Sequence, residues 1–128
     1  MNFKIDTKEK FQVIRLLEED LSVNMADSLK ELIRNYREGH IKNVIIDLAN
    51  VRQISEAAAE IFVKSQEQAY DAGHSFVLCG LQKTVEDEFE KFGYLELLNT
   101  TPTESEAWDI VQMEEIEREF LNDDDFPA

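Results

Sequence analysis

The sequence lacks the features that would cross-link the chain, anchor it in a membrane or direct it to secretion. Its one cysteine, Cys79, has no second cysteine with which to form an intrachain disulfide. No run of about 18 apolar residues is present, so no segment has the pattern of a membrane span. The first ten residues, MNFKIDTKEK, contain no apolar core of the kind found in signal peptides. We therefore expect a cytoplasmic protein with no membrane insertion.

Positive charge is also scarce in this sequence. The chain has 13 lysines and arginines against 28 aspartates and glutamates, which gives a formal net charge of −15. A surface this acidic repels phosphates, so nucleic acid is excluded as a favoured partner. Proteins that carry basic patches, or cations, are better candidates, because their charge complements that of the chain.

The length and the apolar content fit one domain. The 128 residues are 43% hydrophobic, which is enough to bury one core. Residues 44–46 and 76–79 are continuous apolar runs, typical of strands that are buried on both faces of a sheet. These runs alternate with helical patterns along the chain, an order that indicates a mainly parallel sheet. We predict an α/β domain with four to five strands and about four helices.

The predicted elements follow from the spacing of apolar residues and from the residues that stop each segment. Strands are predicted at residues 3–6, 11–16, 44–46, 76–79 and 95–98. Helices are predicted at about 25–38, at 55–72 and 82–92, and from 103 onwards. Asn24 is expected to cap the first helix and Gly39 to end it. Gly93 is expected to end the third helix, and Thr103 to begin the last one in a capping box with Glu106.

The composition changes near the carboxyl terminus. Residues 1–113 contain no linker and are assigned to the domain, whereas residues 114–128 carry seven acids against one base, Arg118. We predict that this segment is an acidic helical extension that frays into a tail. Residues 122–125 (NDDD) lack the spaced ligands of an EF-hand loop, so a solvated tail is favoured over a cation site.

Three stretches resemble one protein family when they are taken in order. Residues 44–54, VIIDLANVRQI, are similar to a buried strand followed by D-L-S-x-V-x-x-I. Residues 71–81, DAGHSFVLCGL, are similar to A-x-G-x-x-L-x-L-x-G, and residues 92–98, FGYLELL, to G-L-x-x-L-F. The order and spacing fit over residues 2–113. The chain therefore resembles the STAS domain family, which includes the anti-sigma factor antagonists.

This resemblance implies a role in bacterial partner switching. Such a domain captures an anti-sigma factor, a histidine-kinase-like ATPase or another regulatory protein, and so takes part in signal transduction and transcription regulation. In switchable members, the second hydroxyl residue of D-S-S-G accepts a phosphate from the kinase. Counting from Asp47, this position holds Ala57, which has no hydroxyl group. Ser55, at the position of the family's aspartate, is left open as a substitute acceptor.

The resemblance also implies a partner surface. It would comprise the loop before the first helix, the turn that begins the second helix and the outer face of that second helix. The residues predicted to bind a partner are Asp20, Ser22, Arg52, Gln53, Ser55, Glu56, Ala57, Glu60 and Lys64. For Ser55 and Glu56 a structural role is open beside the functional one, because serine caps helices and a first-turn carboxylate is stabilised by the helix dipole.

Two other functions stay open. STAS-like domains also occur as non-catalytic subunits of larger assemblies, including stress-signalling scaffolds and lipid-transport complexes. An acidic protein of this kind could also hold Mg²⁺ for phosphoryl chemistry, but the sequence shows no paired carboxylates at a convincing spacing and no P-loop. We therefore predict no catalytic residue, no cofactor and no metal site, and we leave a homodimer open.

Overall fold

A five-stranded sheet forms the centre of the protein. The structure, a computed structural model, describes residues 1–123. The strands of this sheet are Phe3–Thr7 (β1), Phe11–Leu16 (β2), Asn43–Asp47 (β4), Phe76–Cys79 (β6) and Thr100–Thr101 (β7), in the order β1-β2-β4-β6-β7. Only the β1–β2 pair is antiparallel within it. The prediction of a mainly parallel sheet is therefore confirmed.

Two further strands and four helices complete the described part of the chain. Asp20–Leu21 (β3) and Gln53–Ile54 (β5) form a separate two-stranded parallel sheet. The helices are Ala26–Arg37 (α1), Glu56–Asp71 (α2), Lys83–Phe92 (α3) and Glu104–Asp123 (α4). None of the helices within residues 1–123 combines the length and the apolar character that a membrane span needs.

The two faces of the large sheet are covered by different helices. Ile14, Ile46 and Leu78 point to one face, where they pack in one core with the buried residues of α1, α2 and α3. The intervening residues Ile45 and Val77 point to the opposite face. There α4 covers the sheet with Ala107, Trp108, Ile110 and Val111. This alternation is the two-residue period of a strand, so both strand faces are apolar because both are covered.

Two sequence predictions about α1 and the segment after α3 are wrong, and a third is confirmed in part. Asn24 does not cap α1: it lies in a 3-10 turn, Val23–Met25, and the cap residue is Met25, which makes no side-chain bond. Gly39 directly follows the cap residue Glu38, where a helix-ending glycine is expected, but it does not adopt the left-handed conformation. The strand expected at residues 95–98 is a 3-10 turn, Leu95–Leu97, in which Leu97 is exposed.

Backbone hydrogen bonds explain the misplaced strand. The Leu97 N–H donates to Tyr94 O and the Leu98 N–H to Leu95 O, so the chain stays coiled after the left-handed Gly93. Pairing with β6 begins only at Asn99, whose carbonyl accepts from the Leu78 N–H. The last strand therefore forms at Thr100–Thr101, two residues beyond the apolar stretch at residues 95–98 in which a strand was predicted.

Candidate protein-binding corner

The loop before α1 and the turn before α2 are joined by backbone pairing. We call residues 18–24 and 52–57 together the corner. Asp20 pairs with Gln53 and Leu21 with Ile54 in the β3–β5 sheet. Glu19 O accepts from the Arg52 N–H at 2.7 Å, and Leu21 O accepts from the Ser55 N–H at 2.8 Å. These bonds fix the two segments side by side, as the resemblance implies.

Ser55 begins α2 as its N-cap. It has extended backbone angles, and its Oγ accepts a hydrogen bond from the Ala58 N–H at 3.2 Å. This bond satisfies one of the free N–H groups at the start of the helix. Glu56 follows in the first turn and is exposed, and Ala57 is half-buried. The structural role that the sequence left open for Ser55 is therefore present in the structure.

The corner rests on buried apolar residues and on one aspartate. Leu48, Val51 and Ile54 are buried beneath it in the α1–α2–α3 core. Asp47, at the end of β4, accepts a hydrogen bond from the Ala49 N–H at 2.9 Å and lies 3.6 Å from the Arg15 guanidinium. Such a side-chain bond to the backbone two residues on stabilises a turn. Asp47 therefore stabilises the loop that leads into the corner.

The start of α3 also contributes to the corner, which the sequence analysis missed. Gln82 Nε2 donates to Ala49 O at 2.7 Å, and Thr84 Oγ1 donates to Arg52 O at 2.7 Å. Gln82, Thr84 and Glu88 line a cavity of about 440 Å³ with Arg52 and Gln53. A signal for this was available, because the carboxyl ends of neighbouring parallel strands β4 and β6 meet at one edge of the sheet.

The predicted partner-binding residues fall into two groups. Asp20, Ser22, Arg52, Gln53, Ser55, Glu56 and Ala57 lie together in the corner. Glu60 and Lys64 lie one and two turns further along α2, where they form an exposed ion pair of 2.7 Å. The hydrogen bond from Lys64 to Glu60 raises the pKa of the lysine. These two side chains are bonded to each other, so a partner would have to compete for them.

The corner offers one apolar side chain among charged ones. Val23, in the 3-10 turn, is 67% exposed. Asp20, Arg52 and Glu56 are exposed as well, and none of them forms a salt bridge within residues 1–123. This surface is therefore mainly charged, as the rim of a protein interface is.

Reactive chemistry is not apparent at this corner. Within the described part of the chain no three His, Cys, Asp or Glu side chains come together as a metal-binding group. The Cys79 thiol is buried at the end of β6, and burial raises its pKa to about 12. A thiol with this pKa is almost fully protonated at neutral pH and is a poor nucleophile.

Comparison with known proteins identifies the fold. The sequence model of the STAS domain family matches residues 2–107 of the chain. An anti-sigma factor antagonist from Mycobacterium paratuberculosis is similar in structure, with a TM-score of 0.75 at 14% identity, over 87% of this chain and 93% of that chain. A sulfate transporter family protein from Wolinella succinogenes gives 0.70 at 17% identity, over 85% and 90%. The Bacillus cell fate determinant SpoIIAA in its phosphorylated form gives 0.62 at 17% identity, over 86% and 99%. No curated protein shows a significant sequence match.

Proposed function

The chain belongs to the STAS domain family, and we propose that it is a non-catalytic, cytoplasmic protein-binding module of the anti-sigma-factor-antagonist type. Its partner is a regulatory protein, such as an anti-sigma factor or a histidine-kinase-like ATPase, in bacterial partner switching. The proposal takes its direction from the structural neighbours, among which is an anti-sigma factor antagonist. The observation that carries it is the corner: an exposed helix start joined by backbone pairing to an acidic loop.

The charge of the corner supports a basic partner surface. The loop contains Glu18, Glu19 and Asp20 in succession, and Glu56 adds a carboxylate at the start of α2. Charges at the rim of an interface mainly set the association rate and exclude partners of like charge. Val23 would lie at the dry centre of the contact.

We further propose that phosphorylation does not switch this module. SpoIIAA, which shares the fold, has been seen in a phosphorylated form. By the count from Asp47, the acceptor position here is Ala57, the second residue of α2, and its methyl group cannot take a phosphate. Ser55 has a hydroxyl group, but its oxygen is engaged as the helix cap. Partner abundance or competition would then control binding.

A pull-down from the source cells with the full chain tests the proposed partner. We expect to recover a histidine-kinase-like ATPase or an anti-sigma factor and to lose it with Glu56→Lys, because a lysine there repels a basic surface. Glu90→Lys is the matched control: Glu90 is exposed on α3, forms no salt bridge within residues 1–123, and undergoes the same charge change. Equal recovery with both variants would remove the corner from the binding surface.

A second candidate function is a non-catalytic subunit of a larger assembly. The observation that favours it is the set of exposed apolar side chains on the outer side of α4, which are described below. Recovery of transport subunits or of a large homo-assembly in the same pull-down would support this candidate over the first.

A further inference from the structure

Helix α4 reverses its amphipathic character along its length. In its first half, Ala107 and Val111 are buried against the sheet. In its second half, the sheet side is occupied by Glu114, Glu115 and Arg118, which hydrogen-bond to the domain. The apolar side chains of that half lie on the other side of the helix, in solvent.

Three of these outward side chains form a stripe along α4. Met113, Ile116, Phe120 and Leu121 are 58%, 65%, 66% and 63% exposed. The spacing of three and four residues places Met113, Ile116 and Phe120 on one side of the helix, beyond the last apolar contact of α4 with the sheet. Leu121 is exposed as well, but it is rotated about 100° around the helix from Phe120. We call Met113, Ile116 and Phe120 the stripe.

Carboxylates flank the stripe. Asp109 and Glu117 lie one helical turn before and after Met113, and Glu106 lies one turn before Ile110, on the same side. All three are exposed, and none forms a salt bridge within residues 1–123. The one cation of this segment, Arg118, is turned towards Ser75 and Glu115. The rim of the stripe is therefore acidic, without neutralising partners.

We propose that the stripe is a second docking surface, which binds an amphipathic helix of a partner protein that carries lysine or arginine beside its apolar face. The apolar side chains of such a helix would pack on Met113, Ile116 and Phe120, and its cations would meet Asp109 and Glu117. Helix-in-groove recognition uses this spacing of apolar anchors, and methionine adapts well to a bound apolar surface. Helix α4 covers the face of the sheet opposite to the core beneath the corner, so this surface is separate from the corner and from the first proposed function.

The charge pattern argues against a second copy of the chain as the occupant. Two stripes packed together would bring the acidic rims of both helices into contact, and each chain has a formal net charge of −15. Like charges across an interface are strongly unfavourable. An anionic membrane surface is disfavoured for the same reason. A basic amphipathic helix would bury the apolar side chains of the stripe and also place cations beside its carboxylates.

Two synthetic peptides of about 18 residues, or five helical turns, provide the probe. Both carry leucines on one face; the other face carries lysines in one peptide and glutamates in the other. We expect the Leu/Lys peptide to bind the full chain saturably and the Leu/Glu peptide not to bind, by isothermal titration. The triple variant Met113→Gln/Ile116→Gln/Phe120→Gln should lose affinity at least about tenfold. Because these side chains are exposed, its unfolding transition should be unchanged.

Two controls separate specific docking from charge attraction. Leu97→Gln, at an exposed apolar site outside the stripe, should leave peptide affinity unchanged, as should Glu56→Lys at the corner. The double variant Asp109→Lys/Glu117→Lys should lower the affinity for the Leu/Lys peptide and allow the Leu/Glu peptide to bind.

Three results would overturn the proposal. They are no binding of the Leu/Lys peptide, equal binding to the wild type and the triple variant, and a wild-type dimer in light scattering that the triple variant converts to a monomer. The last result would show that a second copy covers the stripe.

Discussion

The two halves of α4 are held against the same sheet by different interactions. Ala107 and Val111 contribute by apolar burial beside Phe11 and Val77. The second half contributes hydrogen bonds: Glu114 accepts from the Tyr70 hydroxyl at 2.7 Å and from the Ser75 hydroxyl at 2.6 Å. Apolar burial is worth about 25 cal/mol per Å², whereas a hydrogen bond replaces one to water and nets about 1 kcal/mol.

The difference between the two halves of α4 shows where the apolar core of this domain ends. Arg118 bonds to Ser75 Oγ at 2.8 Å, and Asn43 bonds to Glu115 at 2.9 Å, so the polar half is docked in one orientation. Burial of the Tyr70 phenol, followed by its bond to Glu114, raises the pKa of this tyrosine to about 12. The first half of α4 thus serves the fold, and the second half presents an outer surface at a fixed angle.

The largest predicted effect is on the free energy of unfolding, when a buried and an exposed side chain within one turn of α4 are each truncated to alanine. Val111→Ala should lower the free energy of unfolding by about 2 kcal/mol, because it removes two buried methyl groups and leaves a cavity. Met113→Ala, two residues further on, should change it by less than about 0.5 kcal/mol, since that side chain is 58% exposed. Urea denaturation followed by circular dichroism measures both. Similar losses in the two variants would show that Met113 belongs to the core.

A smaller effect is expected in the polar half. Arg118→Ala should lower the free energy of unfolding by about 1 kcal/mol, because Glu115 and Ser75 lose a charged donor. The control is Arg34→Ala, whose partner Glu31 is also three residues away along a helix. The side chains of that pair are 54% and 59% exposed, against 25% and 27% for Arg118 and Glu115. Arg34→Ala should therefore lower the free energy of unfolding by less than about 0.5 kcal/mol. Equal losses in the two variants would show that the Arg118 contacts stabilise the fold no more than an exposed ion pair does.

The smallest effect is a pH dependence from Glu115. Hydrogen bonds from Asn43 and then Arg118 lower the pKa of this carboxyl below its ordinary value of 4.5. A lowered pKa in the folded state stabilises the protein above the unfolded pKa, and this contribution is lost as pH falls through the folded value. Glu115→Gln should therefore flatten the decline in stability below pH 4.5 in acid denaturation curves. A steeper decline in the variant would contradict the assignment.

Sequence patterns predicted the parts of this fold that depend on local chemistry. Strands β2 and β6 were predicted with the observed bounds, and Gly93 ends α3 with a left-handed conformation as expected. The Thr103 hydroxyl accepts from the Glu106 N–H at 3.2 Å, which is one of the two bonds of the predicted capping box. Each of these signals is contained within a few consecutive residues.

What the sequence did not show depends on contacts between distant residues. Strands β3 and β5 have two residues each, which is too short for an alternating pattern, and they exist only because Asp20 pairs with Gln53. The network beneath the second half of α4 joins residues more than 30 positions apart, such as Ser75 and Glu114. Helix α4 crosses residue 113, where the sequence analysis placed the start of a helical extension, and it continues to Asp123. Of the predicted acidic tail, residues 124–128 lie outside the described residues.

The most direct test of the central claim measures partner affinity before and after exposure to ATP. The ATPase recovered with the full chain is titrated against the wild type and against Ala57→Ser, each with and without prior incubation with ATP. The wild type should bind equally in both cases, with no phosphate on residues 55–57 by mass spectrometry. Ala57→Ser, which restores a hydroxyl group at the acceptor position, should be phosphorylated and should bind more weakly, because a phosphate adds about two negative charges there. A wild-type affinity that falls after ATP, with phosphate on Ser55, would contradict the account.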